Sequence, residues 1–430
     1  MAKVFIAEQE TLLEVQKQVD KLTNNLLPLD KPIYAMVIHE ASDLNPNSRV
    51  EYLGANKNFT PMSMNMSTHA MNYGSWADWS WLKANVPVMC NFDGGIDYYL
   101  NPNDYTKKAD GTDSDVSNVD YAGDAMSVIQ KIYKKEYKVG NDRYVFFCER
   151  KVDEDFKAVG FNVLGKERDY MLIPMFYGSI DANGKMRSIA GQWSCLTASG
   201  NASDNTTGTA IGTAEQYAAI QKASKNGLFF GGALVNTLAD ICVLLSKSTN
   251  SQAAFGYGMC STYVEDKAQH YGTQINTVVG GGQFYGSSDQ KSFNKIFHSC
   301  VMGSYMLWQR DPYMLLKNGR ILVSPDYTYD LTGATYLDTG VDLAANGYYA
   351  TTRVIEDFGS VPTDELVCSS ATGYCDHTWV NATILAVSLR FGHCFGGLTD
   401  GLFARALNTV AAYAWWRSAA SKLLPAPAAA

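Results

Sequence analysis

The sequence predicts an α+β protein in which strands and long turns outweigh helices. Composition is the first reason. Only 18% of the 430 residues are charged while 12% are aromatic, with 26 tyrosines and 36 glycines. Much of the polar surface must then come from Ser, Thr, Asn and Gly, which supply turns, while Tyr favours strands. The second reason is a pair of stretches with helical apolar spacing that follow one another between Thr213 and Lys247. The third is a set of β-rich runs bounded by turn residues, such as "YVFFCERKV" after "VGND". A chain of this length exceeds one compact core and predicts two or three domains.

In chain order, residues 1–30 predict a helix. Phe5, Leu12, Val15, Val19, Leu22 and Leu26 follow an a/d stripe broken by Glu8. A 3.5-residue repeat keeps one seam toward a partner, so the segment forms either a short coiled coil or an amphipathic helix lying on its own domain. "LLPLDKP" ends it, because proline removes a donor and restricts its predecessor. Residues 31–165 predict a β-rich N-terminal domain, irregular from about Pro32 to Cys90. Within it "WADWSWLKAN" holds three tryptophans that either stack on sugar rings or, more commonly, pack in a core or interface. "NFDGGIDYYLNPNDYTKKADGTDSDVSNVDYAG" reads as a long ordered loop; it resembles a calcium loop in composition but lacks the ligand spacing. "KIYKKEYK", with Lys131, Lys134, Lys135 and Lys138, reads as a solvated face.

Residues 166–424 predict the second domain. "MFYGSIDANGKMRSIAG" is a hairpin turning at Asn183-Gly184, where positive φ is tolerated. "TAEQYAAIQKASKNG" is a helix opening at Thr213 and capped at Gly227. "GGALVNTLADICVLLSKS" is a second helix with Leu234, Leu238, Ile241 and Leu245 on one face. Strands and long turns follow, and residues 425–430, "PAPAAA", read as a flexible tail.

Several function classes lack support. A formal net charge of −8 argues against nucleic acid as a partner. No apolar run reaches the ~20 residues of a membrane span, and the N-terminus carries no secretory pattern. The nine cysteines are odd in number, scattered and without a CxxC pair, which predicts buried thiols rather than zinc ribbons or disulfides. Cys368, Cys375 and Cys394 share the last quarter, yet their spacing matches no copper or thiol-catalyst motif. The six histidines, His39, His69, His270, His298, His377 and His393, form no ligand pair. "VVGGGQFYG" has no following lysine and reads as a turn. No nucleophile elbow or Walker loop occurs. No catalytic residue, metal ligand or cofactor is assigned.

The end of the chain has a pattern of its own. "LRFGHCFGGLTDGLFARALNTVAAYAWWRSAASKLL" contains R-x-G-x-x-x-x-G-x-x-x-G-x-F followed by L-N, with Arg390, Gly392, Gly397, Gly401, Phe403, Leu407, Asn408 and Trp416 as its frame. It resembles the variable region of proteins diversified by retroelements in gut bacteria and their phages. "DYYLNPNDYTKKADGT", "MFYGSIDANGKMRSIAG" and "NKIFHSCVMGSYMLWQRD" are similar to segments of the tail and receptor-binding members of that group, and the N-terminus is similar to tail-attaching phage proteins. The chain departs from the pattern at Cys394, where many members carry Trp.

The resemblance implies a C-type lectin fold of the formylglycine-generating-enzyme type over residues 166–424, with the variable region at 390–422. It implies a non-enzymatic, hypervariable ligand-binding protein of a phage tail, located in the virion, or alternatively at the bacterial cell surface. The implied partners are a bacterial surface protein or glycan, phage tail proteins and further copies of the chain, with a homotrimer expected through the N-terminal heptads. Mutagenic copying of adenines would change His393, Phe395, Gly396, Leu398, Thr399, Arg405, Thr409, Tyr413, Trp415 and Arg417 while the frame stays constant. Large rigid side chains there would make contacts at low entropy cost. In an extended strand Tyr413, Trp415 and Arg417 would share one side, with Phe403 and Trp416 in the core. Two alternatives stand beside this reading: an oxidase of the formylglycine-generating type, which needs a paired, accessible thiol site, and a carbohydrate-binding tail fibre module using Trp79 and Trp81.

Overall fold

A computed structural model describes residues 31–41, 44–192, 194, 211–261, 280–344, 346–413 and 418–427. The predicted N-terminal helix of residues 1–30 lies outside the described residues, as do Trp415, Trp416 and Arg417.

Strands far outnumber helices, as the composition implies, and they build three main sheets around one buried helix. An antiparallel four-stranded sheet runs in the order Val50–Gly54, Tyr34–His39, Asp142–Cys148, Tyr133–Val139. A seven-stranded sheet has Gly123–Gln130 near its centre, between Pro87–Asn91 and Tyr170–Pro174; Lys422–Pro425 and Leu228–Phe229 complete one edge. A nine-stranded sheet carries, side by side, Trp308–Lys317, Leu385–Arg390, Arg405–Val410, His377–Val380 and Tyr348–Ile355.

The helix Gly232–Ser246 sits where these sheets meet. Its leucines, valines and alanines have the period expected of a helix, but it is buried on every side from Gly232 to Leu245 rather than on one face. A helix apolar all round belongs in a core. Its start is held by Asp311, whose Oδ1 accepts the Gly232 N–H at 2.8 Å, a carboxylate at the positive end of the helix. Three polar residues on it hold the surrounding turns and strands. Asn236 donates to the Phe358 carbonyl, Thr237 donates to the Val159 carbonyl, and Asp240 receives Lys134 and Arg143. Among the described residues no helix is long and apolar enough to cross a membrane.

Several expectations change here. No break falls at residue 165: Tyr170–Pro174 pairs with Gly123–Gln130 and with the C-terminal Lys422–Pro425. One apolar core runs from Met36 to Leu423. The start of the predicted tail is likewise tied down, since the Ala426 N–H donates to the Tyr170 carbonyl. The Asp- and Asn-rich segment after Cys90 is a loop only in part, with residues 109–122 running in turns and bends. Ile96–Asn101 and Asp104–Lys108 form edge strands, with the asparagines and aspartates in the turns between them. The hairpin at Asn183-Gly184 forms, with Gly184 at φ 71°. The helix Thr213–Ala223 ends at Ser224, before the expected Gly227.

"KIYKKEYK" is not a solvated face. Lys134 is fully buried and donates to Asp240 Oδ2 at 2.6 Å, and Lys138 reaches the buried Glu40 at 2.8 Å. Period-two alternation on this edge strand turns Lys134 and Lys138 to the same face, toward the interior, and each survives there because a carboxylate meets it. Trp76, Trp79 and Trp81 are also interior. They pack in series, tilted or edge-to-face, with Tyr34 at one end and Phe297 at the other, with ring centroids 5.0–5.8 Å apart. Trp79 and Trp81 are buried, which argues against a carbohydrate site built on them.

Candidate functional site

Leu385–Arg390 and Arg405–Val410 are antiparallel neighbours with Arg390 opposite Arg405. The intervening residues 391–404 therefore leave and re-enter the nine-stranded sheet at one end, and they form the glycine-rich loop singled out in the sequence. Arg390 roots it. The side chain is fully buried, its Nε pairs with Asp311, and it donates to Asn236 Oδ1 at 3.0 Å and to the Gly232 carbonyl at 3.1 Å.

Asp400 shapes the loop from inside. It is fully buried and its Oδ2 accepts the His393 N–H at 3.1 Å. The chain wraps so tightly about this carboxyl that a Cβ on Gly392 would lie 2.0 Å from Asp400 Cγ, and one on Gly396 would lie 1.9 Å from Oδ1. Gly392 also sits at φ 117°, which L side chains rarely adopt. Outside contacts fix the rest: the Cys394 N–H donates to the Met306 carbonyl, the Gly397 N–H to the Cys260 carbonyl, and the Leu402 N–H to Ser251 Oγ, at 2.8–3.0 Å. Gly392→Ala should therefore lower the urea midpoint by the equivalent of about 2 kcal/mol or more. An unchanged midpoint would contradict this framing.

On this frame the expected contact residues divide. Leu398 is 56% exposed and Tyr413 55% exposed, while His393, Phe395 and Thr399 are half-buried. Arg405 and Thr409 are buried instead, because 405, 407 and 409 alternate to the inner face of their strand. Asn408, expected in the frame, is exposed for the same reason. Gly396 belongs to the frame, since Asp400 leaves no room for a side chain there. Phe403, expected in the core, is half-buried against Tyr374, with ring centroids 4.2 Å apart.

On the outer face at this end of the sheet, His393 and Phe395 are joined by four aromatic residues that the sequence did not place at the site, Trp308, Trp379, His377 and Tyr349. Phe395, His393, Trp308, Trp379, His377 and Tyr349 run edge to edge, successive ring centroids lying 4.4–5.8 Å apart. All but Trp308 are half-buried, so the strip presents ring surface while Trp308 packs beneath it. The signal was available in "HTWV", whose alternation places His377 and Trp379 on one face and Thr378 and Val380 on the other.

Among the described residues the cysteines offer little chemistry, and Cys195 lies outside them. Seven of the eight described cysteines are buried and Cys368 is half-buried. Burial pushes the thiols of Cys148 and Cys368 up, that of Cys375 up to about 11 and that of Cys260 up to about 12. Such thiols stay protonated and nucleophilically weak, which argues against the oxidase alternative. A second cluster joins Tyr105 Oη to His298 Nδ1 at 2.7 Å and Lys295 Nζ to Tyr105 Oη at 3.0 Å. Burial lowers the Lys295 amine to about 8 and, with Lys295 beside it, the His298 imidazole to about 3. All three side chains lie in the interior. His39 and His69 bond to Asp142 and the Gly286 carbonyl, and His270 lies outside the described residues. No protein-family model and no curated protein matches the sequence.

Proposed function

We propose that this chain is a non-enzymatic ligand-binding protein, a hypervariable receptor-binding or adhesion protein of a phage tail on a C-type lectin-like scaffold. Its ligand is a protein or glycan of a bacterial surface. One observation carries the reading: side chains at one end of the nine-stranded sheet are presented by a loop whose own backbone is held by buried Arg390, Asp400 and three glycines. Such a loop can exchange its exposed residues without losing its shape, because the determinants of that shape point inward. His393, Phe395, Leu398, Thr399 and Tyr413 make the contact set, with Trp415 and Arg417 joined to it on the family pattern. Arg405, Thr409 and Gly396 are left out of it. The strip through His377 and Trp379 extends the surface with rigid rings of the kind that anchor interfaces and stack on sugars.

Sequencing the DNA beside the gene tests the diversification. The expected result is a near-identical repeat next to a reverse transcriptase, differing at adenines in the codons of the contact set. Differences concentrated in the codons of Arg390, Gly392, Gly396, Gly397 and Gly401, or no repeat at all, would remove diversification from the reading.

A further inference from the structure

The inner face of the same sheet holds a feature that the loop surface does not use. A narrow cleft of about 20 Å³ has room for one small functional group. Arg405 and Asp376 line it together with Ser360, Thr378 and Tyr374, and Phe403 is the one lining residue that is only half-buried, which marks the mouth. Arg405 is 5% exposed and donates from Nη2 to Asn236 Oδ1 at 2.9 Å, yet its Nε and Nη1 have no hydrogen-bond partner among the described residues. The neighbouring Arg390 is already paired with Asp311. A buried guanidinium with idle donors is costly and calls for an anion. Asp376 spends Oδ2 on the Phe403 N–H at 2.8 Å.

We propose that the cleft binds a single carboxylate group, held by the idle N–H donors of Arg405 and by a proton on Asp376. The site is independent of the contact surface described above. Its charge balance selects a monoanion. One unpaired cation faces the cleft, while two carboxyl groups, Asp376 and Asp400, lie close by, so a dianion such as sulfate would stay half-neutralised. Burial holds Asp376 and Asp400 well above the usual carboxylate range, Arg405 partly opposing this at Asp376 and the charge of Asp376 adding to it at Asp400. Among the described residues the other groups facing this region are the phenols of Tyr374 and Tyr305, the thiols of Cys375 and Cys260, and the Arg390–Asp311 pair. Tyr374 donates to Glu40 Oε1 at 2.6 Å and accepts from Arg143, so it is engaged behind the cleft.

Neutral Asp376 is the form that can donate to a bound carboxylate. Wherever the empty site would ionise it, binding takes up a proton, and affinity falls by up to about tenfold per pH unit as pH rises. Calorimetric titration of the full chain with sodium acetate, sodium glucuronate and sodium sulfate at pH 5 and pH 8 tests this. Saturable carboxylate binding at pH 5, weaker at pH 8, is expected, with sulfate inert. Acetate alone assigns a small free carboxylate; glucuronate, with or without acetate, assigns a carboxylate carried by a larger molecule whose body stays outside Phe403. Asp376→Asn should bind equally at both pH values, and Arg405→Met should bind neither ligand. If Arg405→Met fails to fold, the Asp376→Asn titration decides. No carboxylate binding at pH 5, sulfate bound as tightly as acetate, or pH-independent binding by the unmodified chain would overturn the proposal.

Discussion

Asp240→Ala should cost about 3–5 kcal/mol of folding stability, the range for removing one partner of a buried ion pair. Asp240 Oδ2 accepts from Lys134 Nζ and Arg143 Nη2, each at 2.6 Å, and Oδ1 accepts from Arg143 Nη1 at 2.8 Å. All three side chains are fully buried, and among the described residues Glu136 is the only other carboxylate paired with either cation. Alanine would leave two cations in the interior facing one acid. Urea denaturation reads the loss, and a cost below about 1 kcal/mol would place the pair among interactions of no more than surface strength. Replacing Asp240 with Leu and Lys134 with Met together should recover part of it, because an apolar pair carries no unpaired charge. The pH dependence has a definite sign. Burial alone would raise the Asp240 carboxyl, but Arg143 and Lys134 outweigh it and hold the group below its usual value. Its contribution is therefore present above the unfolded carboxylate range, and it is lost as pH falls through the lowered folded value.

Arg390→Met should be nearly as damaging, about 3–5 kcal/mol for leaving Asp311 buried without its partner. It would also remove the donors to Asn236 Oδ1 and the Gly232 carbonyl. Asp311 is at once the anchor of Arg390 and the acceptor at the start of the central helix, so root of loop and start of helix should loosen together. Hydrogen exchange should show faster exchange at Gly232 and at His393 in the same variant. Arg390→Lys should not restore stability, because a point-like ammonium cannot meet three acceptors in the plane of a guanidinium fork. Slow exchange at Gly232 in Arg390→Met would contradict the coupling.

Local features were legible because their causes are local. The helix Gly232–Ser246, the hairpin at Gly184 and the frame residues Arg390, Gly392 and Gly397 could be read from spacing, turn chemistry or the family pattern. What could not be read depends on partners far away in the chain. Lys134 is interior because Asp240, 106 residues on, meets it. Trp81 is interior because the Gln130 carbonyl accepts its indole N–H at 2.7 Å and Phe297 packs against it. The expected boundary at residue 165 dissolved for a similar reason, since the C-terminal strand returns to pair with Tyr170–Pro174. Arg405 and Thr409, expected at the surface from the resemblance, are buried, because in a strand one position decides between the two faces.

The central claim is that the exposed loop side chains bind a ligand while the buried ones only hold the loop. Binding of the labelled full chain to cells of gut bacterial strains, compared with a His393→Ala, Phe395→Ala, Leu398→Ala, Tyr413→Ala variant, tests it most directly. The account predicts that the unmodified chain binds a subset of strains, and that the variant keeps a cooperative urea transition lowered by no more than about 2 kcal/mol over its four substitutions while losing that binding. A variant that binds the same strains as tightly as the unmodified chain would contradict it.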